Sequence, residues 1–313
     1  MSDGLNSVKK ILKDWYVIVV LLSIWIIFGI VEPGYFSVGN IERIVVYSIP
    51  LLAVSLAQNA VILTGGFDLT VGAQVSLMTA ILSVLMTYSV FGSLAVAILV
   101  GGAIGFVNGI GVTKFDINPF LMTLGMMFVI EGVTLIIRPT PGGYVSGAFS
   151  DYLRYTYNGV PIGPFLIFFG VGVFGAWFFE KRHLGRLIYA VGSSEEKSFL
   201  RGIDVGNIKL KAFIFSGFMA AFGGIYMAAQ AKTGDPTIGG PLLFSSITAV
   251  LLGGTRVSGG VGRFPNTVAA VLILGSATSF LFYLGYSEWY RYLINGSLLV
   301  IVAIVQRYTD LGA

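Results

Sequence analysis

A chain of 313 residues in which 56% are apolar and 11% charged, with 42 glycines, is too apolar to close a soluble domain and has the composition of a protein whose solvent is the bilayer. Cysteine is absent, which excludes disulfides and thiolate metal sites. A single histidine, His183, and no pair of acids at a defined spacing argue against an enzyme.

Apolar runs of about 20 residues, each long enough for a hydrocarbon core of about 30 Å, recur along the chain. Spans are predicted at 15–31, 45–64, 69–88, 92–112, 118–137, 163–180, 211–231, 242–253, 264–283 and 290–306. The expected fold is therefore an all-α, polytopic membrane protein of about ten transmembrane helices. The first run follows Lys9, Lys10 and Lys13, but VEPGYFSVGN after it holds no small-x-small cleavage site, so it reads as a retained span behind a cytoplasmic segment 1–14. Arg43, Arg138, Arg154, Lys232 and Arg291 fall on one side of this topology and the remaining basic residues on the other, with both termini. Lys and Arg in short loops resist translocation, so the termini are expected in the cytoplasm. The longest outer loop, bracketed by PTPGG from Pro139 and by Pro161 and Pro164, divides residues 15–307 into halves of about 15–138 and 163–307.

The halves resemble each other. GGFDLTVG at 65–72 carries Asp68-Leu-Thr70-Val-Gly72, echoed by Asp235-Pro-Thr237-Ile-Gly239; FGSLAVAILVGGAIGF from Phe91 resembles FPNTVAAVLILGSATSF from Phe264. A shift of five spans is odd, so two such copies have inverted topology, with Asp68 near the cytoplasmic face and Asp235 near the outer face. Each aspartate precedes a span, where a carboxylate caps orphan N–H groups and suits the positive end of the helix, and Pro236 suits a first helical position. Gly72, Gly239, Gly240 and Pro241 are also expected to weaken both helices near their starts, as in interrupted helices beside a transport path. Cap and gate are compatible roles. The third Gly-rich stretch, GGTRVSGGVGR at 253–263, lacks GxxxxGK[ST] and reads as a turn between spans, with Arg256 or Arg263 as a possible partner for Asp68.

Residues 181–211 form the longest inner loop. Within it, Ser194-Glu195-Glu196-Lys197-Ser198-Phe199-Leu200-Arg201-Gly202 predicts a short helix: serine at the N-cap, acids in the first turn, a base in the last, glycine as stop. Phe199, Leu200 and Ile203 give it an apolar face that asks for a docking partner. The alternative is a solvated connector.

GRLIYAVG, the short helix and GIDV, together with GGFDLTVG, INPFLMTLGM and VLLGGTRVSGGVGR, resemble the membrane permease subunits of bacterial ABC importers for simple sugars, the ribose, xylose and galactose group, over about residues 12–307. The resemblance implies ten spans in an inverted repeat. It also implies a second permease subunit, either an identical or a related chain, and a periplasmic substrate-binding protein. Cytoplasmic ATP-binding subunits would hold the ATP and Mg²⁺, with no cofactor in this chain. By the same resemblance the protein belongs in the bacterial inner membrane, with no nucleic-acid partner. Gly192 to Ile203 match the segment that docks on the ATPase, and Asp68 with its glycines matches GGxDLSVG, with Thr70 for serine. Lys197 and Ser198 stand where the family commonly has two small residues, which makes this docking surface more charged.

A neutral sugar needs hydroxyl-bonding groups and an apolar wall. Asn118, Thr123, Thr70 and Thr237 are the lining candidates. Glu131, inside an apolar span, is expected to face protein, a cavity or the outer interface, since an unpaired carboxylate costs about 2.5–3.5 kcal/mol there. The rival class is an ion-coupled secondary transporter, in which Asp68 or Glu131 carries a proton.

Overall fold

The computed structural model describes residues 2–286 and 289–311, and among them the secondary structure is helical, with no strand and two isolated backbone bridges, Gly142 with Gly234 and Tyr157 with Val160. In chain order the helices are α1 (Ser2–Val31), α2 (Val38–Leu63), α3 (Thr70–Leu85), α4 (Val90–Thr113), α5 (Pro119–Ile137), α6 (Gly147–Leu153), α7 (Ile162–Lys181), α8 (His183–Ser193), α9 (Glu195–Leu200), α10 (Val205–Ala231), α11 (Gly240–Leu252), α12 (Phe264–Tyr283) and α13 (Trp289–Leu311). Among the described residues six helices, α2, α4, α5, α7, α10 and α12, are long and apolar enough to cross a membrane. Shorter apolar helical stretches lie in α1, α3, α11 and α13.

Local chemistry sets several of the ends. Ser89 caps α4 by accepting from Gly92 N, Asn118 caps α5 with Pro119 at the first position, and Asp204 caps α10 by accepting from Asn207 N at 3.0 Å. Lys232, at φ +56°, closes α10 in the left-handed conformation. Helices α2 and α10 begin before their apolar runs, because a nucleated helix propagates into polar flanks while hydropathy marks only the hydrocarbon length.

α2 and α3 form the centre: α2 is buried along almost all its length, and every residue of α3 from Thr70 to Ser83 is buried. Helix α10 packs on α2, α3 and α4, while α2 packs on α10, α11 and α12; α3 meets α4 and α5 as α11 meets α12 and α13. The α4–α10 contact is made by small residues. A Cβ on Gly101 would stand 2.6 Å from Gly217 O, so only glycine lets these backbones approach.

Residues 138–146 lie across the ends of α3 and α10. Tyr144 N donates to Ser83 O at 3.0 Å, Gly142 and Gly234 exchange backbone hydrogen bonds at 2.9 Å, and Arg138 Nε donates to Ser83 Oγ at 3.2 Å.

Two local expectations are corrected. α3 runs unbroken through Gly72, and α11 begins only at Gly240, so residues 236–239 form turns instead of a first helical turn opened by Pro236. The reason is tertiary: the missing side chains at Gly72 and Gly239 serve a backbone crossing and do not interrupt a helix.

Candidate functional site

Asp68 is completely buried. Its Oδ1 accepts from Thr70 N at 3.0 Å and from Thr70 Oγ1, and its Oδ2 accepts from Ser216 Oγ on α10 at 2.7 Å. Thr70 Oγ1 in turn accepts from Gln74 Nε2 at 2.8 Å and Asn108 Nδ2 on α4 at 3.2 Å, both residues fully buried. A buried carboxylate is tolerable only when such donors replace its water, and the start of α3 adds the favourable end of a helix dipole. The expected cap takes the form of an Asx turn: the N-cap position of α3 is Leu69, which makes no side-chain cap bond, and Asp68, one residue earlier, accepts from the N–H of Thr70, the first residue of the helix. The expected pairing with Arg256 or Arg263 is not what the structure has: the carboxylate is occupied by hydroxyl and amide donors. Thr123, also fully buried, donates to Phe67 O at 3.1 Å or to Pro119 O at 2.8 Å and so ties α5 to the same loop. Asn118 is an exposed helix cap.

The second aspartate repeats the local geometry. Asp235 Oδ1 accepts from Thr237 N at 2.8 Å and Thr237 Oγ1 at 2.9 Å. Asp235 N donates to Thr79 Oγ1 at 3.0 Å and Gly239 N to Ser76 Oγ at 3.0 Å, so this segment lies antiparallel along α3 and crosses it at Gly72. Because α11 starts five residues later, Asp235 closes an Asx turn and does not cap the helix. It borders a cleft of about 420 Å³, together with Thr237, Gln230 on α10, Tyr47 on α2, and Trp289 and Arg291 on α13.

At the opposite end of α10 the predicted short helix is present as α9. Ser194 Oγ accepts from Lys197 N at 3.2 Å, Glu195 and Glu196 occupy the first turn, exposed Arg201 follows the last, and Gly202, at φ +78°, ends it. Ser198 is buried and donates to Ala190 O of α8 at 2.9 Å, and Lys209 meets Glu195 at 2.6 Å. Ile203 packs against the core, whereas Phe199 and Leu200 are 72% and 76% exposed, so only the last two remain available to a partner.

α8 links α9 to both Gly-rich loops. Gly260 N donates to Leu63 O at 2.9 Å, and a Cβ on Gly192 would overlap that same Leu63 O. Tyr189 OH donates to Gly262 O at 3.0 Å. Burial pushes the Tyr189 phenol up to about 12, with nearby Glu180 adding to the shift and Arg263 opposing it, so it remains a donor throughout the neutral range.

Sequence reading missed Gln74, Asn108 and Ser216. Their signal was their polarity inside otherwise apolar spans. It also missed the aromatic side of the cleft, announced by WYRY at 289–292 at the head of the last span. Glu131 lies on the exposed side of α5.

The family described as "Branched-chain amino acid transport system / permease component" matches residues 40–303. The ribose import permease protein of Escherichia coli K12 is 32% identical over 306 residues, covering 95% of this chain and 94% of that protein. The D-allose transport system permease protein of the same organism is 33% identical over 294 residues, 92% of this chain and 90% of its own. The L-arabinose ABC transporter permease protein of Azospirillum brasilense is 28% identical over 306 residues, 97% and 90%. No solved structure matches the chain. With the match spanning most of its length and relatives aligned nearly end to end, the chain belongs to the permease-component family of ABC importers and is a multi-pass membrane transport subunit, not an enzyme.

Proposed function

We propose that this permease carries a simple sugar across the bacterial inner membrane, receiving it from a periplasmic binding protein and driven by separate cytoplasmic ATPase subunits that hold the ATP and Mg²⁺. The family description names branched-chain amino acids, whereas the curated relatives matched over nearly the whole chain import ribose, allose, arabinose or galactose. The relatives are the more specific guide, because they align end to end, and the cleft at Asp235 offers hydrogen-bonding and aromatic groups together.

One observation carries the reading: α9 presents Phe199 and Leu200 to solvent while α8 fastens it to Leu63 and Gly260, and so to the loop that ends in Asp68. A partner ATPase seated on Gly192 to Ile203 therefore pushes on a lever whose far arm is the Asp68–Ser216 contact with α10. Asp68, Thr70, Gly72 and Thr123 then act as a braced gate, with Asp235, Thr237 and Gly239 at its other end and Asn118 holding the start of α5. The arrangement is read as ten spans in two inverted halves, both termini cytoplasmic. The recurring Asp-x-Thr geometry and the matched packing of α3 with α4 and α5 and of α11 with α12 and α13 support the inverted halves. Glu131 points to a second permease copy or a water-filled path beside α5, because lipid is a costly environment for a carboxylate.

The test is uptake into proteoliposomes holding this chain, with and without its ATPase and binding protein. ATP-dependent entry of D-ribose, D-allose, L-arabinose or D-galactose is expected. Uptake by this chain alone under a proton gradient would establish the ion-coupled alternative, and ATP-dependent entry of leucine in place of sugars would overturn the substrate class.

A further inference from the structure

The cleft beside Asp235 lies at the end of α10 remote from α9. Twenty-seven helical residues separate the two ends, about 40 Å of rise. Four separate stretches of chain converge on the cleft: Tyr47 from α2, Gln230 from α10, Asp235 and Thr237 from the turn before α11, and Trp289, Arg291 and Tyr292 from α13. Its volume of about 420 Å³ falls within the usual small-molecule range of about 300–1,000 Å³.

Its chemistry is mixed in a specific way. Gln230 and Arg291 line the cleft, and Gln230 Oε1 and Arg291 Nε are buried with no hydrogen-bond partner among the described residues, which leaves one acceptor and one donor unsatisfied beside it. Trp289 and Tyr292 lie nearly parallel, 6.2 Å apart and 22° from coplanar, and the Arg291 guanidinium sits 5.9 Å from the Tyr292 ring. Aromatic rings lining the same cleft as an amide acceptor and a planar guanidinium donor fit a ring with apolar faces and an equatorial fringe of hydroxyls. It suits a flexible aliphatic side chain less well, which would leave those polar atoms unpaired.

We infer that this cleft is a receiving site for a single monosaccharide ring, in which Gln230 and Arg291 bond hydroxyls and Trp289 stacks on the ring face. The inference rests on the sugar-import reading above and adds to it a location and named contacts. Its lining includes the Asp235–Thr237 turn, which continues into the Gly239 crossing with α3. An occupant therefore touches the segment that leads toward Asp68.

The experiment uses the full chain in lipid nanodiscs and saturation-transfer NMR with D-ribose, D-allose, L-arabinose and D-galactose as probes, and leucine as a comparison. At least one sugar is expected to give transfer from aromatic protons, reduced at least fivefold by both Gln230→Ala and Trp289→Ala. Trp289→Phe, which keeps an aromatic face, is expected to retain most of the signal, and variants are compared only when monodisperse with unchanged melting. Transfer undiminished in Gln230→Ala and Trp289→Ala overturns the inference. So does a chain that binds none of the sugars while the same preparation, with its ATPase and binding protein, imports one of them; that result leaves the transport reading intact. Leucine bound and imported in place of sugars overturns both.

Discussion

Gly72 and Gly239 cross backbone against backbone: a Cβ on Gly72 would stand 2.8 Å from Gly239 O and 3.3 Å from Leu243 Cβ, and one on Gly239 would run into Gly72 O. The crossing joins the two segments that carry Asp68 and Asp235, so it fixes the separation of the two Asx turns.

Gly239→Ala is therefore expected to destabilise the protein by about 1–3 kcal/mol through overpacking against rigid backbone. Gly240→Ala, one residue later, meets nothing within 4 Å and is expected to stay within about 0.5 kcal/mol of the parent. Melting of the two variants in the same detergent checks the contrast, and equal melting would remove the crossing from the account.

Ser216 supplies Asp68 Oδ2 with its hydroxyl donor, 148 residues away in sequence. Ser216→Ala leaves that oxygen unpaired in a buried site and is expected to cost about 1.5–3 kcal/mol, the range for hydrogen bonds to charged groups. Asp68→Asn keeps an acceptor for Thr70 N and turns an amide toward Ser216, whose hydroxyl can rotate to accept; ATP-driven uptake within a few fold of the parent is expected. A loss of uptake beyond about a hundredfold in a folded Asp68→Asn protein would instead assign the charge itself a role in transport.

Phe199→Ala and Leu200→Ala remove side chains that touch little of this chain. Melting is expected to shift by no more than about 0.5 kcal/mol equivalent, while co-purification of the ATPase subunit falls at least tenfold. Retained co-purification with both side chains removed would move the docking surface elsewhere.

Tyr189 gives a pH signature. Its phenol ionises near 10 when unfolded and near 12 when folded. Between these values the unfolded chain holds fewer protons than the native one, so stability falls as pH rises from 10 to 12 and is unaffected below 10. Tyr189→Phe is expected to flatten that part of the curve, measured as the difference in urea midpoint from the parent at pH 9 and pH 11.5.

What was legible in the sequence was local or compositional. The α9 helix follows from Ser194, two acids and Gly202 within nine residues, because capping and termination act over one turn. The apolar lengths announced the membrane, and the Asp-x-Thr motifs announced two equivalent turns. The partner of Asp68 was not legible. Electrostatic reasoning looked for an arginine, yet a carboxylate can be desolvated as well by Ser216, Thr70 and the start of α3, and that choice depends on which helices touch. The same holds for Gly72 and Gly239. By itself the sequence determined the apolar, helical character of the chain and local turns such as the one that ends α9, since those depend on hydrophobic length and neighbouring residues; only tertiary structure decided that the glycines are a crossing and that Ser216 braces Asp68, because backbone approach and buried hydrogen bonds are settled between helices far apart in the chain.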